Sequence, residues 1–170
     1  MKKLLLSIVV SGIATLSSYA QTESSSSTKE TGKFSIGAEA GLPVGDASTL
    51  FSVVLGGSVK YEIPTAKHTY FTISVGYNNF VLKSEFSVLG PSSGVIPLKA
   101  GLKYYAADGF FLEGQAGVAI ATASGGGSSF VYAAGLGYTF SSLEVGVRYE
   151  GWPKDGATTS QIGFRLAYRF

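Results

Sequence analysis

The sequence predicts an all-β protein, an eight-stranded antiparallel up-and-down transmembrane β-barrel, on three observations. Apolar and polar residues alternate with period two in eight segments of 10 to 12 residues, short and long connections alternate along the chain, and the aromatics of the apolar face gather near both ends of the segments. The composition agrees. At 170 residues there is room for one folding unit. With 14% charged residues, 13% aromatic residues and 23 glycines, the chain is too apolar for disorder and too rich in glycine for an ordinary helical domain. The absence of cysteine excludes a disulfide framework, a thiolate metal site and a lipid-anchored N-terminal cysteine.

Residues 1–20 read as a signal peptide: Lys2 and Lys3, an apolar-dominated run from Leu4 to Ile13, then small and polar residues to Ala20, with cleavage before Gln21. The run is too short for the ~20 residues that span a bilayer as a helix. Residues 21–32, with four consecutive serines, read as a flexible tail. Loss of the leader removes Lys2 and Lys3 and leaves 11 charges of each sign, so no general basic field recruits nucleic acid.

The barrel domain is 33–170. Its first segment, Lys33 to Leu42, sets Phe34, Ile36, Ala38, Ala40 and Leu42 against Ser35, Gly37, Glu39 and Gly41. The second, Ser52 to Ile63, opposes Val53, Leu55, Val59, Tyr61 and Ile63 to Ser58, Lys60 and Glu62. The third, Thr69 to Asn78, opposes Phe71, Ile73, Val75 and Tyr77 to Thr72, Ser74 and Gly76. In the fourth, Val95 to Tyr105, Ile96, Leu98, Ala100, Leu102 and Tyr104 alternate with Lys99, Gly101 and Lys103. Pro97 cannot donate a ladder bond, which predicts a place near the strand's outer end or a bulge. The fifth, Phe110 to Ile120, sets Leu112, Ala116, Val118 and Ile120 against Glu113, Gln115 and Gly117. The sixth, Ser129 to Phe140, sets Phe130, Tyr132, Ala134, Leu136, Tyr138 and Phe140 against Ser129, Ala133, Gly135, Gly137 and Thr139. The seventh, Leu143 to Trp152, opposes Leu143, Val145, Val147 and Tyr149 to Glu144, Gly146, Arg148 and Glu150. The eighth, Ser160 to Phe170, opposes Ile162, Phe164, Leu166, Tyr168 and Phe170 to Gln161, Gly163, Arg165 and Arg169.

Segments of this length match the ~9 to 11 residues of a tilted membrane-crossing strand better than the ~5 to 6 of a globular one. The odd-numbered connections, Pro43 to Phe51, Asn79 to Gly94, Ala121 to Ser128 and Pro153 to Thr159, have seven to sixteen residues. The even-numbered ones, Pro64 to His68, Ala106 to Gly109 and Ser141 to Ser142, have five, four and two. Short turns on one side and long loops on the other are the transmembrane-barrel pattern, the short turns being periplasmic. The outward face then carries two aromatic girdles. Phe34, Tyr61, Phe71, Tyr104, Phe110, Tyr138, Phe140, Tyr168 and Phe170 lie near the short turns, and Tyr77, Phe130, Tyr132, Tyr149 and Trp152 near the loops. Turned inside out, the same strands would make a soluble periplasmic ligand-binding barrel, the main architectural alternative.

The last strand carries a more specific signal. Ile162, Phe164, Leu166, Tyr168 and terminal Phe170 occupy alternate positions up to the carboxyl terminus, which resembles the C-terminal signature of bacterial outer-membrane barrels. The chain from residue 33 on is similar in plan to small outer-membrane proteins of the OmpA and OmpX type, and its Gly/Tyr-rich strands resemble the outer membrane β-barrel domain proteins of Bacteroidota. The resemblance implies residence in the outer membrane of a Gram-negative bacterium, contact with its lipid, and recognition of the last strand by the barrel assembly machinery.

The polar face places Glu39, Glu62, Glu113, Glu144 and Glu150 with Lys60, Lys99, Lys103, Arg148, Arg165 and Arg169 in the lumen. Eight strands enclose an interior just wide enough for side chains to fill, and buried charges must pair. These residues therefore predict a salt-bridged plug, with inward glycines making room for the long side chains. The alternative is a narrow porin-like ion or water path lined by the same cations. Catalysis is not expected: His68, the single histidine, falls in a short turn, and one His without Cys gives no metal or nucleophile constellation. No cofactor is expected. Gly125-Gly126-Gly127 reads as a loop tip without the lysine and helix of a phosphate cradle. The apolar loop 79–94, with Phe80, Val81, Leu82, Phe86, Val88 and Leu89, reads as strands three and four extending as a hairpin, or as a surface that binds another protein by strand addition. The expected role is non-enzymatic, structural or surface-interacting.

Overall fold

Alternating side chains leave the backbone extended, and the only way to bury one face of eight such strands while pairing every edge is to close the sheet. The computed structural model describes residues 31–89, 93–123, 125–154 and 156–170, so the leader, Ala20 and Gln21, and most of the tail lie outside the described residues. The strands are β1 (Lys33–Val44), β2 (Phe51–Ala66), β3 (Thr69–Leu82), β4 (Ser93–Tyr105), β5 (Phe110–Ala121), β6 (Ser128–Phe140), β7 (Leu143–Lys154) and β8 (Ala157–Arg169). Each pairs antiparallel with the next, and β8 pairs back onto β1 to close the barrel. A single helical turn, α1 (Ala47–Leu50), and a 3-10 turn (Ser84–Leu89) lie in the connections.

The strands are longer than the alternation predicts, because pairing continues past the apolar band. Trp152↔Thr159, Pro153↔Thr158 and Lys154↔Ala157 carry the β7–β8 ladder outward, so most of the expected seven-residue loop Pro153 to Thr159 is corrected to paired strand. β3 and β4 likewise extend as a hairpin, through Asn79↔Gly94 and Phe80↔Ser93. At the end where β1 begins and β8 ends, the β2–β3, β4–β5 and β6–β7 turns each use a left-handed residue: His68 (φ 62), Gly109 (φ 76) and Ser141 (φ 50). His68 is thereby a turn residue first.

Pro97 is neither terminal nor bulged. It pairs with Ala119 of β5 inside β4, and on its other side the ladder to β3 lapses between Val75↔Leu98 and Asn78↔Val95 with no residue inserted. A proline without N–H costs local pairing there, and register survives because both flanking pairs hold it. A true irregularity occurs at the start of β2, where the register shifts between Phe51 and Val53 and Phe51 packs against the buried cluster of Val54, Phe80 and Trp152.

Outside, the barrel is apolar. Ile36, Leu55, Val75, Leu98, Leu102, Val118, Leu136, Val145 and Leu166 are exposed between a lower ring that includes Phe34, Tyr61, Tyr104, Phe140 and Tyr168 and an upper one with Tyr77, Phe130, Tyr132 and Tyr149. A monomer in water does not expose a continuous apolar belt of this size, whereas lipid favours it. The sheet therefore faces hydrocarbon outward, and the inside-out alternative is not the observed arrangement. One assignment to the upper girdle is corrected. Trp152 is 5% exposed and faces the interior, as its parity with Glu144, Arg148 and Glu150 requires.

Candidate functional site: the barrel interior

Because successive side chains alternate, every second residue of each strand enters the lumen, and the chemistry of the interior is the list of those positions read by height. At the end where β1 begins and β8 ends, Tyr70, Tyr105 and Phe111 turn inward and pack edge to face, with ring centroids 5.5 Å (Tyr70–Tyr105) and 5.9 Å (Tyr105–Phe111) apart. The Lys103 ammonium sits 3.9 Å from the Phe111 centroid, so this aromatic floor also faces a cation. Gly137 makes the floor possible, because a Cβ there would strike the Phe111 ring.

Above the floor, all eleven charged side chains named from the sequence join one ion-pair network. Glu144 is its hub, 2% exposed, with Lys60 at 2.8 Å, Arg165 at 3.0 Å, Arg169 at 4.0 Å and Lys103 in direct contact. Glu62 accepts from Lys103 at 2.7 Å and lies 3.5 Å from Lys60 and 3.6 Å from Arg169, while Glu113 takes Lys60 at 3.0 Å. Nearer the opposite end, Arg148 spans Glu39 at 2.6 Å and Glu150 at 2.9 Å, and Glu150 also binds Lys99 at 2.7 Å. Arg165 connects the two groups through Glu144 and, at 3.6 Å, Glu39. Its Nε, the atom nearest Glu39, donates to Ser58 and its Nη2 to Ser35, each at 3.1 Å.

The arithmetic of this network explains its tolerance of burial. Without Arg165, the lower group holds Lys60, Lys103 and Arg169 against Glu62, Glu113 and Glu144, and the upper group holds Lys99 and Arg148 against Glu39 and Glu150. Each half is neutral by itself, and Arg165 is the surplus charge. Neutral groups with short, multiply bonded pairs offset a desolvation cost that isolated charges could not meet. Space comes from the glycines. A Cβ at Gly37 would crowd the Arg165 guanidinium, and one at Gly135 would strike Arg148. The void left among Glu113, Gln115, Glu144, Arg148 and Arg165 is about 20 Å³, close to the room of a single water.

The third layer escapes the polar-face reading. Toward the loops, the inward positions are Val54, Phe80, Ala119, Val131 and Trp152, which form a buried cluster flanked by Phe51 and Val95. Phe80 stands 5.2 Å from Phe51 and 5.3 Å from Trp152, both edge to face. Phe80 was a candidate for the partner-binding loop 79–94; its ring is instead committed to the interior. The signal was legible, since Val54, Ala119 and Trp152 share the parity of a lumen charge on their own strand, and Phe80 and Val131 that of the inward Thr72 and Ser74 and of Ala133. Among the described residues no three His, Cys, Asp or Glu side chains converge as a metal group. In the last strand, Ile162, Phe164, Leu166 and Tyr168 all face outward, and Phe170 follows them with its N–H donating to the Phe34 carbonyl at 2.8 Å.

No protein-family model matches the sequence, and comparison with curated proteins finds no match. Solved structures do match in fold. The outer membrane protein Ail of Yersinia pestis in a phospholipid bilayer nanodisc superposes with a TM-score of 0.57 at 18% identity, covering 82% of this chain and 100% of Ail. The N-terminal β-barrel domain of Pseudomonas aeruginosa OprF gives 0.61 at 16% identity, covering 82% and 100%. The outer membrane enzyme PagL gives 0.56 at 17% identity, covering 80% and 98%. The chain thus has the fold of the small eight-stranded outer-membrane barrels, and because one structure of that fold is an outer membrane enzyme, the fold by itself assigns no activity.

Proposed function

We propose that this chain is an integral outer-membrane barrel that neither conducts nor catalyses, and that serves a structural or surface-interacting role with its loop end toward the outside of the cell. The observation that carries the reading is the filled lumen: a connected network of eleven charged side chains standing on an aromatic floor, with about 20 Å³ of void between them. An ion path needs a continuous water column, and the void among Glu113, Gln115, Glu144, Arg148 and Arg165 has room for about one water. Non-catalysis is supported by the position of His68, a left-handed turn residue at the end where β1 begins and β8 ends. The partners of this reading are outer-membrane lipid along the apolar belt and the barrel assembly machinery at Ile162, Phe164, Leu166, Tyr168 and Phe170. A protein partner would meet the hairpin 79–94, through the 3-10 turn beyond the last β2–β3 pairs.

The test is conductance of the purified protein in planar bilayers. No discrete current steps are expected from the unaltered protein. Reproducible steps whose size changes in Arg148→Ala or Arg165→Ala would establish the porin-like path and overturn the plug.

A further inference from the structure

The apolar layer does not fill the barrel to its mouth. Above it lies a recess of about 180 Å³, walled by Phe51, Phe80, Val95, Ala119, Ala121 and Trp152 and open toward the loops. A dry apolar cavity of ~150 Å³ is enough to take up a benzene-sized guest. Three features make this recess a receptacle rather than a packing gap. Its rim at the β5–β6 connection includes Gly126-Gly127, with Gly125 and Gly127 in the left-handed region (φ 81 and 67), so among the described residues this stretch of rim carries no side chain. Its described rim is polar on one side: Ser128, Ser129 and Thr159 supply hydroxyls, and Lys154 is the single charged residue among the described lining residues. The Lys154 ammonium donates to the Gly126 carbonyl at 2.7 Å, which holds it at the entrance with further N–H groups to give.

We infer that this recess binds a small amphipathic carboxylate, an aromatic ring or short acyl chain seated against Trp152 and Phe80 with its carboxylate at Lys154. The apolar wall sets the body of the ligand, the volume limits it to about one substituted ring, and the rim cation sets the sign of its polar group. The charged network beneath is self-neutral apart from Arg165 and is separated from the recess by the apolar layer, so among the described residues Lys154 is the charge at the recess.

Trp152 is the chain's single tryptophan, so its fluorescence reports the recess without labelling. The experiment titrates benzoate, hexanoate and the neutral benzyl alcohol into the full protein in lipid nanodiscs. The expected result is a saturable change in Trp152 emission with both carboxylates, abolished in Ala121→Phe, which fills the recess. Lys154→Gln should weaken carboxylate binding roughly two- to five-fold and leave benzyl alcohol unaffected, as befits an exposed charge contact worth less than ~1 kcal/mol. Ser129→Phe provides a second filled variant should Ala121→Phe fail to give the heat-modifiable band of a folded barrel. A response that never saturates, or that persists in both filled variants, reflects partition into lipid and overturns the site. Equal affinity for benzyl alcohol, unchanged by Lys154→Gln, overturns the carboxylate assignment.

Discussion

The lower and upper halves of the lumen are built by the same strands with the same alternation, yet one is filled by charge and the other by hydrocarbon. In the lower half Glu144 gathers four cations; in the upper half Trp152, only eight residues further along β7, packs on Phe80. Charge requires completeness, because each buried ion is tolerable only while its partners are present. The apolar half requires only shape, and it can leave a recess open at the mouth without a desolvation penalty. A plug and a receptacle can therefore share one barrel.

Substitutions in each half should separate these two modes of support. Glu144→Ala should have the largest effect, about 3 to 5 kcal/mol, because it leaves Lys60, Lys103, Arg165 and Arg169 facing one another around an empty centre. Urea unfolding in lipid vesicles measures it, and a cost near zero would mean that the hub is not a hub. Trp152→Ala should cost about 3 kcal/mol through lost burial and an enlarged recess, and should leave the network's resistance to conductance intact. Current steps in that variant would show that the apolar layer, rather than the charges, seals the barrel. Arg165→Met should cost the least, about 1 kcal/mol or less, because it removes the surplus cation and leaves two neutral groups in a volume of similar size. If Arg165→Met were as damaging as Glu144→Ala in the same unfolding assay, connection between the groups would matter more than their neutrality.

Much of this interior was legible beforehand. Parity alone placed Glu39, Lys60, Glu62, Lys99, Lys103, Glu113, Glu144, Arg148, Glu150, Arg165 and Arg169 in the lumen, and all eleven are joined there. Trp152 was misplaced because its chemistry, a girdle aromatic near a loop, was weighed above its parity. Phe51 was not legible: a one-residue register shift at the start of β2 accompanies its inward packing, and a bulge leaves no mark in an alternation already fading into a loop. Loop lengths were overestimated for a related reason. Polar residues such as Thr158 and Thr159 pair as well as apolar ones, so strands run on beyond the point where the hydrophobic pattern stops.

The sequence by itself determined the strand number, the two faces and the charged membership of the lumen, because a two-residue period is a local property that each strand carries whether or not its neighbours are in place. The identity of each ion pair was decided only by tertiary structure. Glu144 meets Lys60 and Lys103 across 84 and 41 residues of chain. Closure brought β7 opposite β2 and β4 at a height set by the register of every intervening ladder, and no local pattern contains that sum.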